Sequence, residues 1–301
     1  MSKKITRKIL LAVFALVLSV VALGTTTYAW FTLGNQASVS EFEMSVTGGE
    51  GLEVAYVDKD GDVKPFVTTL LKEDIVKNLE LDYGFTEGTW LEAFELAGVT
   101  SEDGKAFKKL SDDGTSLVDL KTNEKPYVEF KLKFRTKAAG KNLIWASIDM
   151  NSEGVEWTPQ VPFTGIDGEV NTTDPVTYYA VNSARVSIEN EAGDVVVHEK
   201  GEATDNKVLS SSEPNWTQGA HDFYNKVTGV DLSEHHASHR AVETEQVAGK
   251  DLGAFSTDPD SDGYYYADIT VRVYLEGFDS EMFNAVFEDT LKVGLKFKLQ
   301  D

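Results

Sequence analysis

The chain has 301 residues, with 50 Asp and Glu against 28 Lys and Arg, a net charge of −22 and no cysteine. That length bounds the fold at one large or two ordinary domains, and 41% hydrophobic against 26% charged residues leaves enough apolar material for a core, which excludes disorder throughout. The acidity counts against nucleic acid as a partner, because such a binder needs Lys and Arg to displace counterions. The missing cysteine excludes disulfides, thiolate catalysis and cysteine-ligated zinc or iron–sulfur sites.

Residues 1–29 read as an address. Lys3, Lys4, Arg7 and Lys8 precede Ile9–Gly24, sixteen residues without a charge, and Thr27 and Ala29 then put small residues at the −3 and −1 positions. A positive start, an apolar stretch and a small-residue site are the three regions of a secretory signal, cleaved here after Ala29. The alternative is an uncleaved anchor. Sixteen residues fall short of the roughly 20 that a spanning helix wants, unless Trp30 and Phe31 extend the run. Cleavage removes four positive charges and no negative one, so the exported part is more acidic still and attracts divalent cations. No later run approaches membrane length, and Leu299-Gln300-Asp301 carries no sorting motif, so membrane attachment is expected only through the uncleaved signal. Export without disulfides fits a Gram-positive bacterium better than a eukaryotic secretory pathway.

The exported part reads as β. Ala37 and Val39 share one parity while Phe42, Met44 and Val46 share the other, a switch that marks a bulge or a break. Leu52, Val54 and Tyr56 are expected to fold back on that strand as a hairpin across Gly48-Gly49. Residues 58–125 interrupt with short helical pieces, first Leu70, Leu71, Ile75, Val76 and Leu79, then Leu91, Phe94 and Ala97. Alternation resumes at Val128, Phe130, Leu132 and Phe134, and after the turn Ala138–Lys141 at Ile144, Ala146, Ile148 and Met150. It returns at Ala184, Val186 and Ile188. A polar, turn-rich stretch over 200–260 follows, with a helix expected near Trp216–Val227. Tyr265 to Leu275 alternates for eleven residues, Phe278–Val286 reads as a short helix or crossover, and Leu291, Val293, Leu295, Phe297 and Leu299 close the chain. Period-two alternation gives strands with one buried and one wet face, the antiparallel signature. Two such sheets must bury their apolar faces on each other. The expected fold is therefore all-β, an antiparallel sandwich over 41–301 with insertions at 58–125 and 200–260 carrying short helices.

Thr26-Thr-Tyr-Ala-Trp-Phe-Thr32 directly after the apolar stretch, then Val39-Ser-Glu-Phe-Glu-Met-Ser-Val46, resembles the TasA/camelysin-like proteins of Gram-positive bacteria, which leave the cell through a SipW-type signal peptide. Tyr127–Thr136, Ala184–Ile188 and Val271–Gly277 resemble strand segments of relatives that carry the same signal. The resemblance implies a jelly-roll-like sandwich, processing by a SipW-type signal peptidase, and secreted matrix fibres in which subunits join head to tail by donor-strand complementation. Carried over, the donor is about Trp30 to Ser40, with Trp30, Phe31, Leu33, Ala37 and Val39 as its apolar side chains. A strand added to an open edge gains a ladder of main-chain hydrogen bonds and covers a template for aggregation. A head-to-tail contact that does not close propagates as a filament. The alternative is that Trp30–Val39 lies against its own sheet or stays disordered.

Chemical sites are sparse. His235 and His239 in Glu234-His-His-Ala-Ser-His239 have zinc-ligand spacing on a helix, and the camelysin side of the resemblance implies a metallopeptidase. A zincin needs HExxH with Glu directly after the first His; here position 236 is His and Glu234 precedes the pair. Asp258, Asp260 and Asp262 with Gly263 match the opening of an EF-hand loop, but position twelve is Ile269, so the alternatives are a non-EF calcium loop and a plain Asp/Gly turn. Asp58-Lys-Asp-Gly-Asp62 is a weaker version of the same pattern. Trp90, Trp145, Trp157 and Trp216 are candidates to stack on sugars or to pack the core, and Trp145 stands off the expected buried parity. No nucleophile elbow, P-loop or dinucleotide fingerprint is present. The expectation is a non-enzymatic, secreted structural protein of the cell surface or biofilm matrix, with a monomeric adhesin or carbohydrate-binding module and a secreted metallopeptidase as the other two readings.

Overall fold

The computed structural model describes residues 38–46, 51–111, 116–121, 124–166, 168–200, 218–231, 241–245 and 247–300. The signal segment with Ala29, and Trp30, Phe31, Leu33 and Ala37 of the expected donor, lie outside the described residues. Strand β1 (Ser38–Val46) is followed by β2 (Glu53–Val57), β3 (Thr69–Leu70), helix α1 (Lys72–Tyr83), the single turn α2 (Trp90–Ala93), β4 (Gly98–Val99) and the hairpin β5 (Lys108–Leu110) with β6 (Leu117–Asp119). The long strands β7 (Val128–Thr136) and β8 (Asn142–Ser152) come next, then β9 (Val155–Trp157), β10 (Phe163–Gly165), β11 (Gly168–Val170), β12 (Val176–Tyr178), β13 (Ala184–Asn190) and β14 (Val195–Glu199). Helix α3 (Ala220–Thr228) precedes β15 (Lys250–Ala254), β16 (Tyr265–Glu276) and β17 (Thr290–Leu299). Among the described residues no helix is long and apolar enough to cross a membrane.

Two sheets form the sandwich. Sheet 1 has the order β15-β8-β17-β1-β3, and sheet 2 the order β14-β13-β16-β7-β2, with β4 also paired to β16. The chain changes sheet between β1 and β2, β7 and β8, and β16 and β17, the jelly-roll-like habit of crossing between layers. Most pairings are antiparallel; β1 with β17 and β4 with β16 are parallel. The inner faces meet in one core, where Phe134 of sheet 2 and Phe297 of sheet 1 pack edge to face with ring centroids 5.0 Å apart. Alternation is nearly perfect along β7 and β17, whose buried positions are Val128, Phe130, Leu132 and Phe134, then Leu291, Val293, Leu295, Phe297 and Leu299. The segment Phe278–Val286 is a crossover that ends in a 3-10 turn, Asn284–Glu288.

One open alternative is settled and two expectations need correction. The parity switch near Ser40 is a bulge, where the register with β17 slips between Val39 and Glu41, so Ser38–Val46 is one strand and Val39 is paired with Leu291 of its own sheet. Leu52–Tyr56 is no hairpin partner of that strand, because β2 pairs with β7 in the opposite sheet. On β8 the register with β17 slips between Ser147 and Trp145, which turns Leu143 and Trp145 inward; Trp145 is fully buried, against the expected parity.

The insertions build structure. Residues 63–70 strap one side of the sandwich, pairing first with β2 through Val54 and Val67, then with β1 through Met44 and Leu70. Ile75 and Leu79 bury one face of α1, which ends at Gly84 in the left-handed region. The Glu80 carboxylate accepts from the backbone N–H groups of Gly88 (2.9 Å) and Trp90 (2.8 Å), so α1 caps α2. From the second insertion come α3 and the edge strand β15. Gly219, at φ 64°, opens α3 where a Cβ would sit 2.2 Å from the Ser280 carbonyl oxygen, so only glycine fits.

Candidate functional site

The outer face of sheet 2 carries the candidate site. Alternation turns Glu129, Lys131, Lys133 and Arg135 of β7 away from the core, and register sets them opposite Arg272, Thr270, Asp268 and Tyr266 of β16. Glu189 of β13 stands opposite Thr270 on the other side. Like charges are avoided across strands and unlike ones pair, as the ladder favours. Arg272 donates through Nε to Glu129 (2.7 Å) and through Nη2 to Glu189 (2.9 Å), and Lys105 reaches Glu189 at 3.1 Å. Burial alone would raise the Glu189 carboxyl, but Lys105 and Arg272 outweigh it and hold the group below the usual range. Lys133 pairs with Asp268 at 2.7 Å. Farther along, the Arg135 guanidinium stacks between the rings of Phe66 and Tyr264, 4.2 Å from each centroid, and donates to Glu53.

A groove of about 630 Å³ crosses this face, lined by the cations Lys131, Lys133 and Arg272 and the acids Glu129, Glu189, Glu191 and Asp268, with Asn190 and Thr270 between them. A second hollow of about 260 Å³ continues it toward Asp58, Asp82 and Lys125, the two sharing Val57, Gly61, Glu129 and Lys131. Lys131 is exposed, and its side chain has no ion-pair or hydrogen-bond partner among the described residues. Arg272 is 8% exposed, and its Nη1 is buried without a partner, as is Oδ1 of Asp268.

The other end of the same face is roofed. Val99 and Phe107 of the first insertion pack on Tyr274, and Gly104 O accepts from Ser187 Oγ at 2.8 Å. Under that roof Arg185 is fully buried, 3.1 Å from Glu199 and 3.6 Å from Glu276, and donates to Val242 O at 3.0 Å. Burial would lower the Arg185 pKa, but Glu276, Tyr274 and Glu199 hold the guanidinium above its ordinary range. Burial raises the carboxyls of Glu276 and, more strongly, Asp279. Sequence reading placed Ala184, Val186 and Ile188 inside and missed that Arg185, between them, is buried as well.

The expected metal loops are occupied by their own donors. The Asp260 carboxylate accepts from the N–H groups of Asp262 and Tyr264 (2.9 Å each) and from Tyr266 Oη, which lowers its pKa. Asp58 accepts from the N–H groups of Asp60 and Asp62 and from Lys64 Nζ. Both are side-chain-organised turns, and among the described residues no three carboxylates or imidazoles are placed to hold a metal ion, so Asp258, Asp260 and Asp262 do not converge as a calcium site. Asp260→Ala is expected to lower the melting temperature, with calcium and chelator shifting neither protein; a calcium-dependent rise in the parent would put an ion back in the loop. His235, His236 and His239 lie outside the described residues.

The three described tryptophans serve packing. Trp90 stacks on Phe94 at 4.3 Å, Trp145 is in the core, and Trp157 sits among Tyr178, Phe223 and Phe283. Trp216 lies outside the described residues. No family model, curated protein or solved structure matches the chain.

Proposed function

We propose that this chain is a secreted structural protein of a bacterial cell surface or biofilm matrix that assembles head to tail into fibres, with the leading stretch Trp30–Ala37 of one copy completing the sheet of the next. The observation that carries this reading is the edge beside β1. Strand β3 pairs with Met44 and Ser45 alone, so on the side away from β17 the backbone of Ser38–Glu43 has no strand partner among the described residues. Helices α1 and α2 lie against β1 but cannot continue its ladder. Such a rim gains a row of main-chain hydrogen bonds from an extended segment, and apolar side chains on that segment set its register. Trp30, Phe31 and Leu33 supply them, and in the precursor a signal ending at Ala29 would keep them engaged until export. The TasA-like resemblance of Thr26–Thr32 and Val39–Val46 points the same way. A SipW-type signal peptidase is the processing partner this reading requires.

Because Ser38–Ser40 belongs to β1, the test removes residues 30–37 and leaves the strand whole. Protein trimmed after Ala29 is expected to form filaments in electron micrographs, and the shortened protein to stay dispersed with an unchanged melting profile. Filaments from the shortened protein, or a parent that remains monomeric at high concentration, would overturn the proposal. Dispersed parent protein would favour the second reading, a monomeric adhesin or carbohydrate-binding module, for which the groove on sheet 2 is the supporting feature.

A further inference from the structure

We propose that His198 is a proton-sensitive latch on the strap of residues 241–245, and that mild acid lifts the Glu245 end of this strap off β14 and bares the outer edge of sheet 2. Strand β14 is the last strand of its sheet. The strap runs beside it, and Glu245 N–H donates to Val197 O at 2.8 Å. From the same strand His198 Nδ1 donates to Glu245 O at 3.2 Å, so this end is held once by main chain and once by an ionisable ring. At the other end Val242 N–H donates to Ser101 O (2.8 Å), and Val242 O accepts from Arg185 Nη1 (3.0 Å). A guanidinium keeps its charge at every working pH, whereas an imidazole changes its charge near neutrality. The two ends of the strap therefore answer differently to protons.

His198 is 7% exposed and meets Trp145 of sheet 1 edge to face, with ring centroids 6.3 Å apart. A carbonyl only accepts, so the neutral ring carries its proton on Nδ1, and acid adds the second at Nε2. The charged groups around it are already engaged or turned to solvent. Opposite His198 on β13 is Val186; Arg185 beside it pairs with Glu199. Glu245 of the strap pairs with Lys250 of β15 at 2.5 Å, Asp251 accepts from Asn142, and Glu243 is exposed. Burial accordingly holds the imidazole below the ordinary histidine range, opposed only by the Glu245 hydrogen bond. A group depressed in this way leaves the closed state fully stable above its unfolded value of about 6.5 and withdraws that stability as pH falls through the folded value. The closed strap also buries Thr244 Oγ1 and Trp145 Nε1 without partners among the described residues, and opening lets water reach them. What is bared is Val195-Val-Val197, an apolar run with free main-chain groups that can take another strand. Other edges are covered without such a group: β2 pairs with Val63 and Val67, and Asn190 donates to Leu252 O of β15.

Amide hydrogen exchange of the chain trimmed after Ala29 tests the latch, followed by NMR between about pH 7.5 and about pH 5 and corrected for the intrinsic pH dependence of exchange. Protection of the Glu245 amide is expected to fall several-fold over this range, while Val242 and the amides of β16 keep theirs. The His198 ring, followed by its own shifts, is expected to titrate below free histidine and over the interval in which Glu245 loses protection. His198→Gln, whose side-chain amide can donate to Glu245 O without titrating, is expected to keep Glu245 protection flat. If that variant does not fold, the parent's ring titration and Glu245 exchange decide by whether they coincide. Equal Glu245 protection at both ends of the range, a His198 ring that titrates at or above the ordinary value, the same loss in His198→Gln, or a loss shared by Val242 and β16 would each overturn the proposal.

Discussion

Arg185→Leu is expected to destabilise the protein by about 3–5 kcal/mol near neutral pH, the usual result of removing one partner from a buried ionic group. The side chain is fully buried beside Glu199 and Glu276, with Asp279 close enough to influence it. Without it those carboxyls keep their burial cost and lose the charge that offsets it. The penalty should depend on pH in a definite direction. Burial raises the folded-state pKa of Glu276 and Asp279 above their unfolded values. A group raised in this way contributes stability that is fully present below the unfolded carboxyl pKa and is lost as pH rises through the folded value. Loss of Arg185 raises both folded values further, so chemical denaturation should show the variant losing least near pH 4 and most at mildly alkaline pH. A loss that is flat with pH would mean the cluster is not titrating. Asp279→Asn is the companion measurement, expected to flatten the alkaline decline of the parent.

Phe134→Ala is the second large effect, expected to cost about 3–5 kcal/mol through lost burial and the cavity left behind. Its ring is fully buried and meets Phe297 across the two sheets. Lys133→Ala, one residue away on the opposite face, loses a part-exposed pair with Asp268 and a contact with the Tyr266 ring 5.5 Å away, both partly in solvent, and should stay within about 1 kcal/mol. Denaturant midpoints of the two variants give a direct reading of the alternation; similar losses would mean that β7 is not half wet.

That alternation is what made the sandwich legible. Strands β7, β16 and β17 could be read residue by residue because one face is wet and the other dry. Reading failed where backbone geometry intervened. The bulge on β8 moves Trp145 from the outer parity to the core, and no single residue type announces it. The chain crosses to the other sheet after β1, so the glycines at 48 and 49 did not mark a hairpin. Strands β3 and β4, two residues each, are too short to carry a period at all. Arg185 was missed for a different reason: its burial comes from a roof supplied by residues 99–107, distant in sequence. One signal was available, since the run Val195-Val-Val197 on the neighbouring strand is apolar on both parities, as strands covered on both sides are. The groove floor follows from the outward parity of β7, but which cation stays unpaired depends on cross-strand partners that only the register fixes.

The parallel pairing of β1 with β17 joins the first described strand to the last. Strand β17 is interior to its sheet, with β8 on its other side, so neither neighbour completes its ladder until residues 290–299 are in place. Closing so long a loop is entropically costly and slow. A chain in which β17 has not yet docked therefore holds half of the sandwich open, and the arrival of this one strand is what locks the molecule.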